Sequence, residues 1–176
     1  MEILILFGLI LMNGVFAMSE MAVVSARKAR LQHLAEEGKR GARVALRLAQ
    51  EPSSFLATIQ VGITVIGITS GAFGEATLTK GLSEWLSQWA VLDRHSQAIA
   101  VTIVITGITL AALIFGELVP KRLALLNPEW VASLVAPPMR ALSRVAYPLV
   151  RALGAVTDGI LRLLGLRATG ESPVTE

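Results

Sequence analysis

The sequence predicts an all-α membrane protein: three transmembrane helices carrying a cytoplasmic belt of juxtamembrane, amphipathic helices. Three observations predict it. Residues 3–18, 55–73 and 98–115 hold no charged side chain. Runs of roughly 16–19 residues reach about 24–29 Å as helices, near the roughly 30 Å hydrocarbon core of a bilayer. Charged residues make up only 16% of the chain and hydrophobic ones 53%, against roughly 25% charged in soluble domains. Three apolar runs in so small a chain would leave too little polar surface to cover them in water. Finally, Lys and Arg gather in alternate connecting segments, which is how short cytoplasmic loops are marked.

The first span covers residues 3–24. It opens Met1-Glu2 with no basic segment ahead of it, and positive charge follows instead at Arg27, Lys28 and Arg30. That order is the reverse of a cleaved secretory signal. The helix is expected to continue to Leu34, leaving the membrane near Ser25. Residues 27–49 alternate basic and apolar positions at helical spacing. Gly38 and Gly41 divide them into two short interfacial helices. Leu31, Leu34, Val44, Leu46 and Leu48 are there to face lipid headgroups or a partner.

Pro52-Ser53-Ser54 reads as a helix start, Pro in the turn and then a Ser cap, before the second span at 55–73. Residues 74–97 are nearly balanced in charge, and Trp85 and Trp89 there, with Trp130 after the third span, read as interface anchors or as packing residues of short helices. The third span covers 98–117. Residues 128–165 are apolar but interrupted by Pro128, Pro137, Pro138 and Pro148, with arginines throughout. They read as amphipathic or re-entrant interfacial helices, with a kinked fourth span as the alternative. The count of basic residues puts 25–50 and everything after 120 in the cytoplasm, and the N-terminus and 74–97 outside. The protein is then a multi-pass component of the cell (inner or plasma) membrane. Residues 1–167 form one membrane domain, and 168–176 turn polar, as a linker would.

Cysteine is absent, which excludes disulfides and thiolate metal sites. The net charge of +3 lies beside apolar runs, so it marks juxtamembrane segments and not a nucleic-acid surface. The two histidines, His33 and His95, fall on opposite predicted sides, and no phosphate loop or HExxH pattern occurs. An enzyme is therefore not expected.

Polar residues inside spans are costly in hydrocarbon and mark function by default. Asn13 and Glu20 share one face of the first helix, with Ser19 beside Glu20; Glu20 could equally be an interfacial carboxylate paired to a Lys or Arg. The second span carries Gly62, Thr64, Gly67 and Gly71, either for close helix packing or as a broken helix exposing carbonyls to an ion. The third ends Gly116-Glu117-Leu118-Val119-Pro120-Lys121. Gly116 gives room there, and Pro120 withdraws an N–H and can break the helix, freeing carbonyls. A carboxylate, carbonyls and hydroxyls suit hard cations such as Mg²⁺, Ca²⁺ or Na⁺. The plainer reading is a Glu117–Lys121 pair closing a helix end.

With these residues assembled, the chain resembles the transmembrane (DUF21) domain of the CorC/CNNM family, often labelled hemolysin-C-like. The resemblance is carried by Asn13-Gly14-Val15-Phe16-Ala17-Met18-Ser19-Glu20-Met21-Ala22, Arg27-Lys28-Ala29-Arg30-Leu31 and Leu34-Ala35-Glu36-Glu37-Gly38. Further matches are Phe55 to Thr64 and Gly116-Glu117-Leu118-Val119-Pro120-Lys121. The resemblance implies a homodimer in the lipid bilayer, with three transmembrane helices per subunit and CBS domains following in the full-length chain. It implies Mg²⁺ export, with Na⁺ exchange in some members, and a cation site at Ser19, Gly62, Thr64, Gly67 and Glu117, with Asn13, Glu20, Gly116, Pro120 and Lys121 in support. Relatives often carry Ser at the position of Ala17 and Asn in the segment of Ile63, Thr64 and Gly67, so this chain offers fewer oxygen ligands. An organic-cation (polyamine) exporter, and a non-transporting sensor or scaffold that regulates another transporter, are the alternatives.

Overall fold

A computed structural model describes residues 1–50, 52–89 and 93–164. Among these, every regular element is helical: α1 (Glu2–Ser25), α2 (Lys28–Glu36), α3 (Arg40–Gln50), α4 (Pro52–Ser87), α5 (Ser96–Leu113), α6 (Val119–Leu126) and α7 (Pro128–Leu163). A 3₁₀ turn at Asp93–His95 leads into α5, and a π-helical turn at Ile114–Leu118 joins α5 to α6. Three helical rods are long and apolar enough to cross a membrane: Glu2–Ser25, Pro52–Ser87 and Asp93–Leu126. The protein is thus an all-α membrane protein.

Several expectations change in detail. Helix 1 does not run on to Leu34. Ala26 and Arg27 are extended, with ψ of 132° and 117°, and the Arg27 N–H donates to Glu129 Oε1 at 3.3 Å. The bend is held by a partner more than a hundred residues away. Gly38 alone divides the next two helices. Its φ of 88° is the left-handed conformation that ends a helix at little cost only for glycine. Beside it, a hydrogen bond from Lys39 holds the Glu37 carboxyl below its usual range. Gly41 lies inside α3, where a Cβ would run into the Ser133 carbonyl of α7.

Pro52 is the first residue of α4, so Ser53 and Ser54 stand within its first turn and not ahead of it. Proline fits there because the first helical N–H groups have no internal acceptor. Residues 128–163 form one helix, not several, despite Pro137, Pro138 and Pro148 inside it; α7 is not among the three candidate spans. The 168–176 linker lies outside the described residues.

The densest packing sits at one end of the molecule. Leu31, Phe55 and Ile59 are essentially buried there, and Leu34, Val44, Leu46 and Leu48 pack against the same core. These leucines and the valine therefore pack, at least in part, against the protein's own helices. The alanine face of α3 (Ala42, Ala45, Ala49) is buried as well, which lets α3 lie close along α7. The other end is a hairpin of α4 and α5, tied to α1 by a small cluster of Leu6, Ile10, Val104 and Ile108. At its tip Trp85 and Trp89 are exposed and meet edge to face, with ring centroids 6.4 Å apart. Exposed indoles at a span's end are what interface anchors require.

Candidate functional site

The π turn builds the site. Within an α-helix each N–H reaches the carbonyl four residues back. Here the Val119 N–H reaches Ile114 O, five back. The next residue is Pro120, which carries no N–H, so neither Gly116 O nor Phe115 O receives a bond from position 120. Asn13 Nδ2 of α1 donates to Gly116 O at 3.1 Å. Gly14 brings α1 close enough for this, because a Cβ there would lie 2.9 Å from Pro120 Cγ and 3.0 Å from Phe115 O. The helix therefore widens without breaking, and the freed carbonyl is served by a side chain from α1.

Asn13 is left half used. Its Oδ1 is buried and has no hydrogen-bond partner among the described residues. A buried acceptor without a donor costs about 1–3 kcal/mol, unless a ligand, ion or water meets it. Asn13 lines a cavity of about 240 Å³ together with Gly67, Ser70 and Gly71 of α4, Thr109 of α5 and Glu117 of the π turn. Ile105, Ile108, Ala112 and Leu113 form its apolar wall. Ser70 Oγ donates to Ile66 O at 2.8 Å, so its lone pairs remain available as acceptors. A Cβ at Gly67 or Gly71 would meet nothing within 4 Å. These glycines leave space; they do not pack against another helix of the same chain.

Glu117 is half-buried at the edge of this cavity, and its charge is already met. Lys121 Nζ donates to Glu117 Oε1 at 2.8 Å and lies 3.4 Å from Glu20 Oε2. One ammonium thus bridges two carboxylates on two helices. Both pairings anticipated for Glu20 and Glu117 form, and they form on the same lysine. A cation arriving at Glu117 would have to displace Lys121, which could stay on Glu20.

Of the anticipated site residues, the structure brings Asn13, Gly67 and Glu117 to the cavity, with Gly116 and Pro120 shaping the turn and Glu20 and Lys121 at the ion pair. It does not bring Ser19, Gly62 or Thr64 there. Ser19 is fully buried and donates to Val15 O at 2.6 Å. Gly62 accommodates Phe16, whose Cε1 would lie 2.8 Å from an added Cβ. Thr64 is exposed on α4. The second span is an unbroken helix and exposes no carbonyls by fraying. Ser70 and Thr109 were missed: Ser70 stands one turn from Gly67 on the same helical face, a spacing that could have found it, whereas Thr109 carries no such signal. Glu129 was missed too, although a carboxylate just inside a proline-led apolar helix stands out; it is buried, accepts the Arg27 N–H and lies 3.8 Å from Arg30 Nη1. Among the described residues no group of three or more Asp, Glu, His or Cys side chains is placed to hold a metal.

Comparison with known proteins agrees with this architecture. Residues 4–176 match the family described as the Cyclin M transmembrane N-terminal domain. A UPF0053 protein of Synechocystis sp. is 44% identical over 176 residues, which is 100% of this chain and 39% of the relative. Proteins named polyamine export protein in Salmonella typhimurium and Haemophilus influenzae are 28% and 29% identical over 99% and 98% of this chain. The chain spans 39–40% of the length of these relatives. The matching family is described as a transmembrane domain, in line with the three apolar rods. The chain belongs to the Cyclin M transmembrane N-terminal domain family, the family its sequence resembles.

Proposed function

We propose that this domain moves a cation across the membrane, that Glu117 receives the cargo's charge in the cavity between α1, α4 and the π turn, and that the cargo is Mg²⁺ leaving the cell, coupled to Na⁺. The observation that carries the reading is that Asn13, whose buried Oδ1 has no hydrogen-bond partner among the described residues, lines the same cavity as Glu117. Mg²⁺ dehydrates reluctantly and is commonly held by one or two carboxylates while it keeps several waters. A cavity of about 240 Å³ is much larger than a single water needs. A partly hydrated ion fits that space, with Asn13, Ser70 and Thr109 reached through its waters.

A second reading has its own support. The wall of Ile105, Ile108, Ala112 and Leu113 suits the methylene chain of a polyamine, whose ammonium would pair with Glu117, and two relatives carry the name polyamine export protein. The same reading takes the assembly as a homodimer, with the N-terminus outside and the belt helices cytoplasmic, and the longer relatives' remaining length as the place for regulatory CBS domains.

The test is flux in proteoliposomes, with Mg²⁺ and spermidine offered separately to the wild type and Glu117→Gln, and calorimetric binding as a second readout. Mg²⁺ movement and binding that Glu117→Gln abolishes would establish the first reading. Spermidine movement without Mg²⁺ movement would establish the second. Folded protein that binds neither would sink both and leave a non-transporting scaffold.

A further inference from the structure

A second polar cavity, of about 320 Å³, lies at the densely packed end between α3, the first turn of α4 and α7. Arg47 and Gln50 enter it from α3, Ser54 and Phe55 from α4, and Arg140 and Ser143 from α7. Among the described residues no carboxylate lines it, and neither guanidinium forms an ion pair. Arg47 and Arg140 bring two positive charges to one cavity from different helices, a field that favours an anion. Ser143 Oγ is buried and has no hydrogen-bond partner among the described residues. Gln50 and Ser54 add further donors. Ser54 also stands in the first turn of a 36-residue helix, where backbone N–H groups lack internal acceptors and the dipole favours negative charge. Phe55, 1% exposed, floors the cavity with hydrocarbon and strengthens the field inside it.

We infer that this cavity binds a phosphate ester, with Arg47 and Arg140 as its two-pronged donors and Gln50, Ser54 and Ser143 completing the oxygen shell. The chemistry is selective. A phosphate offers several acceptor oxygens and no obligatory donor, which matches a lining composed of donors and amphoteric hydroxyls. Guanidinium prongs fit phosphate oxygens in a way that a lysine point charge does not. The phosphate has two sources: the headgroup of an anionic lipid, since the belt helices around the cavity carry Arg43, Arg144 and Arg151, or a free phosphate in the adjoining solution. Either would clamp α3, α4 and α7 together.

The experiment measures thermal unfolding of the purified chain in maltoside micelles, with phosphatidylglycerol, phosphate-free diacylglycerol or inorganic phosphate added in turn. Phosphatidylglycerol is expected to raise the unfolding temperature, and diacylglycerol not. A rise with phosphatidylglycerol alone identifies a lipid headgroup as the source; a rise with inorganic phosphate as well identifies a site for the free anion. Arg47→Gln and Arg140→Gln should each weaken the half-saturating concentration by about tenfold, whereas Arg43→Gln, in the belt but outside the cavity, should leave it unchanged. Should a glutamine variant not fold, Arg47→Lys keeps the charge and loses the fork, and is expected to bind more weakly than wild type. No rise with either phosphate probe, an equal rise with diacylglycerol, an equal loss in Arg43→Gln, or wild-type affinity in Arg47→Lys would each overturn the proposal.

Discussion

Lys121 decides how Glu117 behaves. Its ammonium, 2.8 Å from Glu117 and 3.4 Å from Glu20, occupies the place a cargo cation would take. Replacing it by Lys121→Gln leaves two carboxylates without a counter-charge, so cation binding should tighten by on the order of tenfold. The folded state should also become dependent on added cation. Calorimetry and unfolding with and without Mg²⁺ or spermidine check this, and unchanged affinity would place the cargo elsewhere. Asn13 tests the other half of the site. Asn13→Leu strands Gly116 O in a buried position and should cost about 1–3 kcal/mol, read as a lower unfolding temperature, with cation binding lost as well. Asn13 and Glu117 were legible in the sequence, because an amide inside an uncharged run and a carboxylate just past the end of one have few structural excuses. Ser70 and Thr109 were not. Ser70 bonds the carbonyl four residues back, as Thr58, Thr69, Thr77 and Thr102 also do, so a hydroxyl in these helices reads as self-satisfied.

At the scale of elements the chain repeats one device: a proline frees a carbonyl, and a glycine on the facing helix approaches it. Pro120 faces Gly14, and Pro137 withdraws the N–H that would reach Ser133 O, against which Gly41 of α3 is set. The sequence announced each proline as a perturbation but not its outcome. Whether a helix breaks, widens or continues depends on what the neighbouring helix offers the freed carbonyl, and that is tertiary information. For the same reason α7 stays continuous through three prolines, although its sequence reads as several pieces. Gly41→Val should force α3 away from α7 and destabilise the belt by about 1–3 kcal/mol. Gly71→Leu is predicted to do the opposite of what packing glycines do. A Cβ there meets nothing within 4 Å, so stability should hold while the side chain fills the cavity and blocks cation binding. A large loss of stability instead would show that Gly71 packs against a second chain.

Across the whole molecule, the two ends of α1 meet different surroundings. Leu6 joins the loose hairpin cluster, while Val23 and Ala26 join the dense core built with α2, α3 and α7. The arginines of α3 and α7 lie at the dense end, and the exposed indoles of Trp85 and Trp89 at the hairpin tip. A bilayer placed on the three apolar rods separates these ends, and the proposed orientation, which follows the positive-inside bias, has the dense end in the cytoplasm. Because the chain has no cysteine, single cysteines can report the sides directly. Lys28→Cys on α2, Gln88→Cys at the hairpin tip and Leu163→Cys at the end of α7 are all exposed positions. With a membrane-impermeant maleimide on intact cells, Gln88→Cys should label, and Lys28→Cys and Leu163→Cys should label only after permeabilisation. The reverse pattern would invert the protein and make the proposed export an import. Labelling of Leu163→Cys together with Gln88→Cys would instead mean that α7 crosses the membrane, which its arginines at 140, 144, 151 and 162 make costly at about 2.5–3.5 kcal/mol for each one placed mid-bilayer.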